Sequence, residues 1–229
     1  MAQLPDDGPI LILSLLEFAP DRGRERYAKY WGVASAAIQD HGGMVLYHGE
    51  RILGLDDASA GWDSVVCTHY PSRAAYLDLQ RDAAYREARP DRQTALTRRL
   101  LYVARPGFLS AKPSSMPPIS DPVTVADDNE IFLINLMRFR GQQGLAEYAK
   151  YSAVVGPEIR KRGGGPVYLL EGELPLVSDG FWHNIGLIRY PDIETVRSMS
   201  ASEKWQAANE DRNNGLHDTI AFPTRPFAP

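Results

Sequence analysis

The tetrapeptide Tyr27-Ala28-Lys29-Tyr30 returns 121 positions later as Tyr148-Ala149-Lys150-Tyr151. At the same offset Ile10–Phe18 matches Ile131–Phe139, and Gly42-Gly43 matches Gly163-Gly164. One residue is then lost. Trp62 matches Trp182, Tyr70-Pro71 matches Tyr190-Pro191, Asp91-Arg92 matches Asp211-Arg212, and Arg105-Pro106 matches Arg225-Pro226. Matches that keep their order with a single slip mark a twofold internal repeat. A period near 120 is the length of a small domain, not of a solenoid unit. The 229 residues therefore divide into a first copy (1–106), a Pro/Ser-rich linker (107–130) and a second copy (131–229). Domains of that size are marginal alone, so the copies are expected to share an interface.

Within each copy the patterning is regular. Ile10–Phe18 is apolar and flanked by prolines, which reads as a strand buried on both faces. Asp21 to His41 carries Tyr27, Tyr30, Ala34, Ala37 and Ile38 at helical steps and stops at Gly42-Gly43. Met44–Leu55 and Trp62–Tyr70 read as strands around a turn at Asp56–Gly61. A helix starts at Ser72, a second runs from Asp91 to Arg99, and Leu100–Ala104 closes the copy as a strand. The second copy predicts strands at Ile131–Phe139, Pro166–Leu176, Phe181–Tyr190 and near Thr219–Phe222, with helices at Gly144–Arg162 and Asp192–Asn209. This order is β-α-β-β-α-β, the ferredoxin-like arrangement. The bare face of each sheet needs a cover. The expected fold is α+β: two ferredoxin-like repeats with facing sheets, an intrachain pseudo-dimeric α+β barrel.

A net charge of −4 gives no general attraction to nucleic acid or to an anionic membrane. The lone Cys67 excludes an internal disulfide framework and reads as a buried thiol. Asp6 and Asp7 precede a short apolar run that lacks the basic start of a signal peptide and is too short to span a bilayer, so a cytoplasmic protein is expected.

Four motifs carry a resemblance. Tyr27-x-x-Tyr30 lies on the first helix, His41-Gly42-Gly43 follows it, Tyr70-Pro71-Ser72 ends a strand, and Tyr85-Arg-x-x-Arg-x-x-Arg92 comes next. With these the chain resembles domain of unknown function 1330, of the dimeric α/β-barrel superfamily, across both copies. The second copy departs from the pattern. Arg162 replaces the histidine before the glycines, and Trp205 replaces Tyr85. The resemblance implies pockets that are no longer equivalent, and single-domain relatives that dimerise, so a homodimer of the whole chain is also open. It spans cofactor-free oxygenases, isomerases, cyclases and haem enzymes, and a shared fold fixes no reaction.

Such a domain would place a cavity between helices and sheet. Asp63, Val65, Cys67 and His69 share one face of their strand, and Arg189 occupies the position of His69 in the second copy. His69 is the candidate acid/base and Arg189 an anion holder; solvated strand ends are the alternative. Tyr30 and Tyr151 are candidate hydroxyl donors, with Tyr27 and Tyr148 one helical turn before them; aromatic packing on the sheet is the competing role. Asn135 sits in an apolar strand and needs partners if buried. Arg92 and Arg212 hold an anion or pair with a nearby carboxylate. His48 and His183 complete the candidate substrate contacts. No zinc-binding helix, phosphate loop or nucleophile elbow is present, and no metal site is expected. Haem is an alternative by fold analogy, with His183 or His217 as axial ligand. The leading reading is a cofactor-independent enzyme acting on a small, partly hydrophobic metabolite, of cyclase, isomerase, lyase or oxygenase type. The competing readings are a non-catalytic small-molecule binding protein and a structural or interaction module with filled cavities.

Overall fold

The structure, a computed structural model, describes residues 1, 4, 8–53, 61–107, 119, 121–178 and 180–227. The expected turn over 56–60 and linker positions 108–118 and 120 lie outside these residues. The first copy runs β1 (Ile10–Phe18), α1 (Gly23–Asp40), β2 (Met44–Arg51), β3 (Ser64–Tyr70), α2 (Arg73–Leu79), α3 (Ala83–Ala95) and β4 (Leu96–Pro106). The second runs β5 (Ile131–Phe139), α4 (Gly141–Lys161), β6 (Gly165–Val177), β7 (Asn184–Tyr190), α5 (Ile193–Ser200), α6 (Glu203–Gly215) and β8 (Leu216–Pro226). None of the described helices is long and apolar enough to cross a membrane.

Two helix expectations are corrected. The helix expected at Asp91–Arg99 occupies Ala83–Ala95, because the Asp82 carboxylate accepts the Tyr85 N–H at 2.8 Å and starts it earlier, with Pro90 inside it. The single helix expected at Asp192–Asn209 is two helices, because the Ser202 hydroxyl caps a second one at Trp205.

The glycine pairs of the repeat have structural causes. Gly42 and Gly163 adopt φ of +72° and +81°, and Gly43 and Gly164 return N–H bonds to Ile38 and Ile159 at 2.8 and 3.0 Å, ending α1 and α4 in the same way. Gly23 and Gly144 stand against the Ala95 and Gly215 carbonyls, where a Cβ would come within 2.7 and 2.5 Å.

The expected pair of facing ferredoxin-like sheets is overturned. Besides the pairings within each copy, β4 pairs with β6 from Leu101↔Val177 to Pro106↔Leu170, and β2 pairs with β8 from Gly49↔Pro226 to Arg51↔Thr224. The result is one closed antiparallel barrel, in the order β1-β3-β2-β8-β5-β7-β6-β4, with six helices among the described residues. Two separate four-stranded sheets would leave four unpaired edges, and closure removes them all. Eight strands also give an interior that side chains can fill. Leu11, Leu13, Val65, Cys67, Tyr102, Phe132, Trp182 and Phe222 do so, contributed by both copies. Alternate residues of the same strands, Ile10, Ile12, Val66, Tyr70 and Val103, face outward under the helices. Both faces of the strands are therefore buried.

Every neighbouring pair is antiparallel, so β3 and β7 run the same way and end on one rim. Linker residues cross that rim. Val123 donates its N–H to the Leu46 carbonyl at 2.8 Å, and the Tyr168 hydroxyl donates to the Asp121 carbonyl at 2.8 Å. Ile119 and Val123 pack onto the barrel core there.

Candidate functional site

Between α1 and α3 and the outer face of β1, β3 and β4 lies a cavity of about 50 Å³. Its apolar wall is Ile12, Leu16, Ile38, Val66, Leu100 and Trp31. Its polar groups come from Tyr27, Tyr30, Tyr76, Tyr85, Ser14, Thr68, Arg92 and Arg99. Tyr27 and Tyr30 face inward because they sit one turn apart on α1, and Tyr85 and Arg92 do so from two turns of α3. The Tyr30 and Tyr85 hydroxyls are 3.1 Å apart, and Arg92 Nη1 donates to both, at 3.3 and 3.2 Å. The guanidinium also lies 5.3 Å from the centre of the Tyr30 ring.

A second cavity of about 200 Å³ opens outward from this point, lined by Arg92, Gln93, Leu96, Thr97, Arg98 and Arg99. Arg92 and Arg99 line both spaces and so form the neck between them. Neither lining contains a carboxylate or a histidine, and no ion pair joins Arg92 or Arg99 to a described carboxylate. Arg92 Nε is buried without a hydrogen-bond partner among the described residues. Burial, and then the nearby Arg92 charge, push the Arg99 guanidinium below its usual range. Burial raises the Tyr30 phenol well above its normal value and pushes Tyr76 up to about 12, so these hydroxyls are protonated donors at neutral pH.

The matching space of the second copy is built differently. Tyr148 and Tyr151 keep their places on α4, with ring centroids 5.3 Å apart. Trp205 stands where the first copy has Tyr85 and packs edge-on to Tyr151 at 5.6 Å, supplying no hydroxyl. Thr219 stands in the place of Arg99, and its hydroxyl lies 3.0 Å from Asn135 Oδ1. The Asn135 side chain also lies beside the Tyr148 phenol, which burial pushes up to about 12. Arg212 lies near both phenols, as Arg92 does in the first copy. Asn135 is thus held by a local partner, and with Trp205 and Val196 at the places of Tyr85 and Tyr76 this half lacks two phenols and one guanidinium relative to the first.

The remaining sequence candidates do not join either space. His69 shares the barrel-facing side of β3 with Val65 and Cys67, while Val66, Thr68 and Tyr70 line the chamber. Arg189 lies on the same rim, facing a cavity of about 300 Å³ that Asp121, Pro122, Val123, Pro166 and Tyr168 help to line. This is the largest of these cavities, but it is a groove beneath the linker, and its guanidinium is 3.5 Å from the Glu130 carboxylate. It offers no unpaired charge, whereas the smaller first-copy chamber does. His48 is buried among Tyr27, Trp31 and Phe227, beside the chamber but outside its lining, and burial lowers its imidazole to about 4.

His183 Nδ1 accepts the Phe139 N–H at 3.1 Å. One repeat earlier, Asp63 accepts the Phe18 N–H at 2.7 Å. His183 is therefore the second copy's acceptor for a strand-end N–H. His217 is exposed on β8, and neither histidine lines any of these cavities, so the pair does not fit a haem-ligand role. Among the described residues no group of three or more His, Cys, Asp or Glu is placed to hold a metal ion.

The sequence reading missed Tyr85 and Arg99 as site residues. Tyr85 was visible as a member of the tyrosine–arginine motif that changes to Trp205, and Arg99 as the position that changes to Thr219 at the same offset.

Comparison with known proteins follows this division. Residues 21–106 match the model of a family described as domain of unknown function (DUF1330). A protein of unknown function from Rhodopseudomonas palustris is 33% identical over 44% of this chain and 84% of its own, with a TM-score of 0.39. An anthrone oxidase-like protein superposes with a TM-score of 0.65 at 9% identity, over 97% of this chain and 92% of that one. A mutant chlorite dismutase from Candidatus Nitrospira defluvii gives a TM-score of 0.52 at 11% identity, over 95% and 92%. At these last two identities the likeness is one of fold. No curated protein matches the chain.

Proposed function

The chain belongs, through its first half, to the DUF1330 family, and on that premise we propose a cofactor-independent enzyme acting on a small, partly hydrophobic organic molecule in the first-copy chamber. The observation that supports this most directly is the Tyr30–Tyr85–Arg92 triangle facing an enclosed space. Arg92 donates to both phenol oxygens and so polarises their O–H bonds. Burial keeps the Tyr30 phenol neutral. A substrate oxygen that gains negative charge during reaction would meet preorganised donors in a site of low dielectric, the usual basis of oxyanion stabilisation. The isomerase, lyase, cyclase and oxygenase readings all draw on that service. Tyr85 acts as hydrogen-bond donor to the substrate, Tyr30 donates to Tyr85 and strengthens it, Arg92 orients and polarises, and Tyr27 packs behind them. Tyr151, in the second copy, has Trp205 where Tyr30 has Tyr85, which favours the first half as the site of reaction.

A second reading, a non-catalytic small-molecule binding protein, is favoured by one observation. The lining holds no carboxylate or imidazole to take a proton. To separate the two, the purified protein is incubated with a small-metabolite extract and consumption is followed by mass spectrometry. The enzyme reading expects compounds consumed by wild type and spared by Tyr30→Phe and Tyr85→Phe. Equal profiles for wild-type and heat-killed protein would sink it and leave the binding reading.

A further inference from the structure

We infer that the first-copy chamber and its neck are built for a short-chain carboxylate bearing a second oxygen, of the oxo- or hydroxy-acid class. This deepens the reading of the chamber given above and rests on it. Three features of the space lead there.

The first is charge. Two guanidiniums, Arg92 and Arg99, line the neck, and no described carboxylate pairs with either. Two partly buried cations close together cost free energy unless an anion joins them. The copy of this site that lacks Tyr85 also lacks the second cation, since Thr219 stands there. The Arg92 Nε, buried with no partner, has a hydrogen to give. Planar forks of this kind match a carboxylate in two-point fashion.

The second is the position of the phenols. Arg92 Nη1 already touches the Tyr30 and Tyr85 hydroxyls, so the anion position and the phenol pair are adjacent. The Tyr30 hydroxyl donates to the Tyr85 oxygen, so a ligand whose carboxylate sits at the neck places the next one or two carbons beside the one free donor, the Tyr85 hydroxyl. An oxygen there is recognised; a methylene there leaves that hydrogen unused.

The third is size. A space of about 50 Å³ holds roughly four waters at about 10–15 Å³ each. With the outer groove of about 200 Å³ the whole stays below the roughly 300 Å³ at which pockets for drug-sized ligands begin. The apolar wall of Ile12, Val66 and Leu100 takes a short alkyl end.

The test is calorimetric titration of the whole chain with 2-oxobutanoate (both groups), butyrate (carboxylate alone) and 2-butanone (carbonyl alone). The expected order is 2-oxobutanoate tightest, butyrate at least tenfold weaker, and 2-butanone without measurable heat. Arg99→Thr, which copies the second half's own residue, weakens both acids at least tenfold. Tyr85→Phe weakens only 2-oxobutanoate. Thermal melts of each variant confirm folding. If 2-butanone binds as tightly as 2-oxobutanoate, or Arg99→Thr leaves the acids unchanged, the anion assignment is wrong while the chamber stands as a binding site. If none of the three binds, the chamber reading itself falls, and the inference with it.

Discussion

Replacing Arg92 by methionine should leave the empty protein close to its original stability, while removing its response to anionic ligands. Arg92 makes two hydrogen bonds to phenol oxygens, both long at 3.2 and 3.3 Å. At about 1–1.5 kcal/mol each, their loss costs about 2–3 kcal/mol. Against that, the variant removes a buried Nε that has no described partner, worth about 1–3 kcal/mol. It also relieves the repulsion that, after burial, lowers the Arg99 guanidinium, on the order of 1 kcal/mol at close range in a water-like dielectric. The Tyr30–Tyr85 hydrogen bond survives, so no hydroxyl is stranded. The balance lies between about 1 kcal/mol of destabilisation and about 2 kcal/mol of stabilisation, or a change of at most roughly 4–8 °C in Tm for a chain of this size. Thermal and urea unfolding of both proteins without ligand provide the measurement. A structural arginine would behave in the opposite way. A loss of more than about 2 kcal/mol would refute the view that this side chain is kept at a cost in stability for the sake of a ligand.

Three further outcomes are expected. Burial holds the His48 imidazole near 4, against an unfolded value near 6.5. Between those values only the unfolded chain takes up the extra proton. Stability should therefore fall as pH drops from about 6.5 to 4, by up to on the order of 3 kcal/mol, and be independent of this group above 6.5. His69 and His183 are shifted in the same direction, so His48→Phe should remove only part of the acid sensitivity; pH-resolved denaturation curves for the two proteins that superimpose would contradict the assignment. Glu173 joins the buried Arg73, 3% exposed, to Arg105 across the β4–β6 seam, so Glu173→Ala should cost about 3 kcal/mol in urea unfolding, and a cost below about 1 kcal/mol would count against the network. Glu17 pairs with Arg98 beneath Trp62, and the second copy reverses the signs, with Arg138 and Asp218 beneath Trp182. The double change Glu17→Arg with Arg98→Asp should then recover most of the roughly 0.5–1 kcal/mol lost by either single change, and strict additivity in a double-mutant cycle would argue against coupling.

The repeat was legible because identical strings survive at a constant offset, and the strands because β-branched runs end at prolines. What the strings did not carry was how the edges of the two copies meet. The hydrophobicity of β2 and β4 says that they are buried, but not by which strand. The face of His69 was similarly hidden. Its parity with Val65 and Cys67 is plain in the sequence, but Val66, Thr68 and Tyr70 on the other side are equally suited to an interior. When both faces of a strand are covered, alternation loses its power to say which one is the core. The arginine on α3, a candidate anion holder in the sequence, lines the chamber. Its partners were overlooked because Tyr85 had been read as a motif letter and Arg99 as the end of a helix. The informative comparison was internal: the positions at which the two copies disagree, Tyr85 with Trp205 and Arg99 with Thr219, are the ones that distinguish a chamber from a filled space.

The interior of the barrel is filled but for a void of about 10 Å³, with residues of both copies interlocked along its axis. Nothing can pass from one flank of the molecule to the other by that route, and a close-packed wall yields little to either side. It works as a bulkhead. An exchange such as phenol for indole beneath α6 can be absorbed locally, without disturbing the opposite compartment, so one flank can serve as ballast while the other carries cargo.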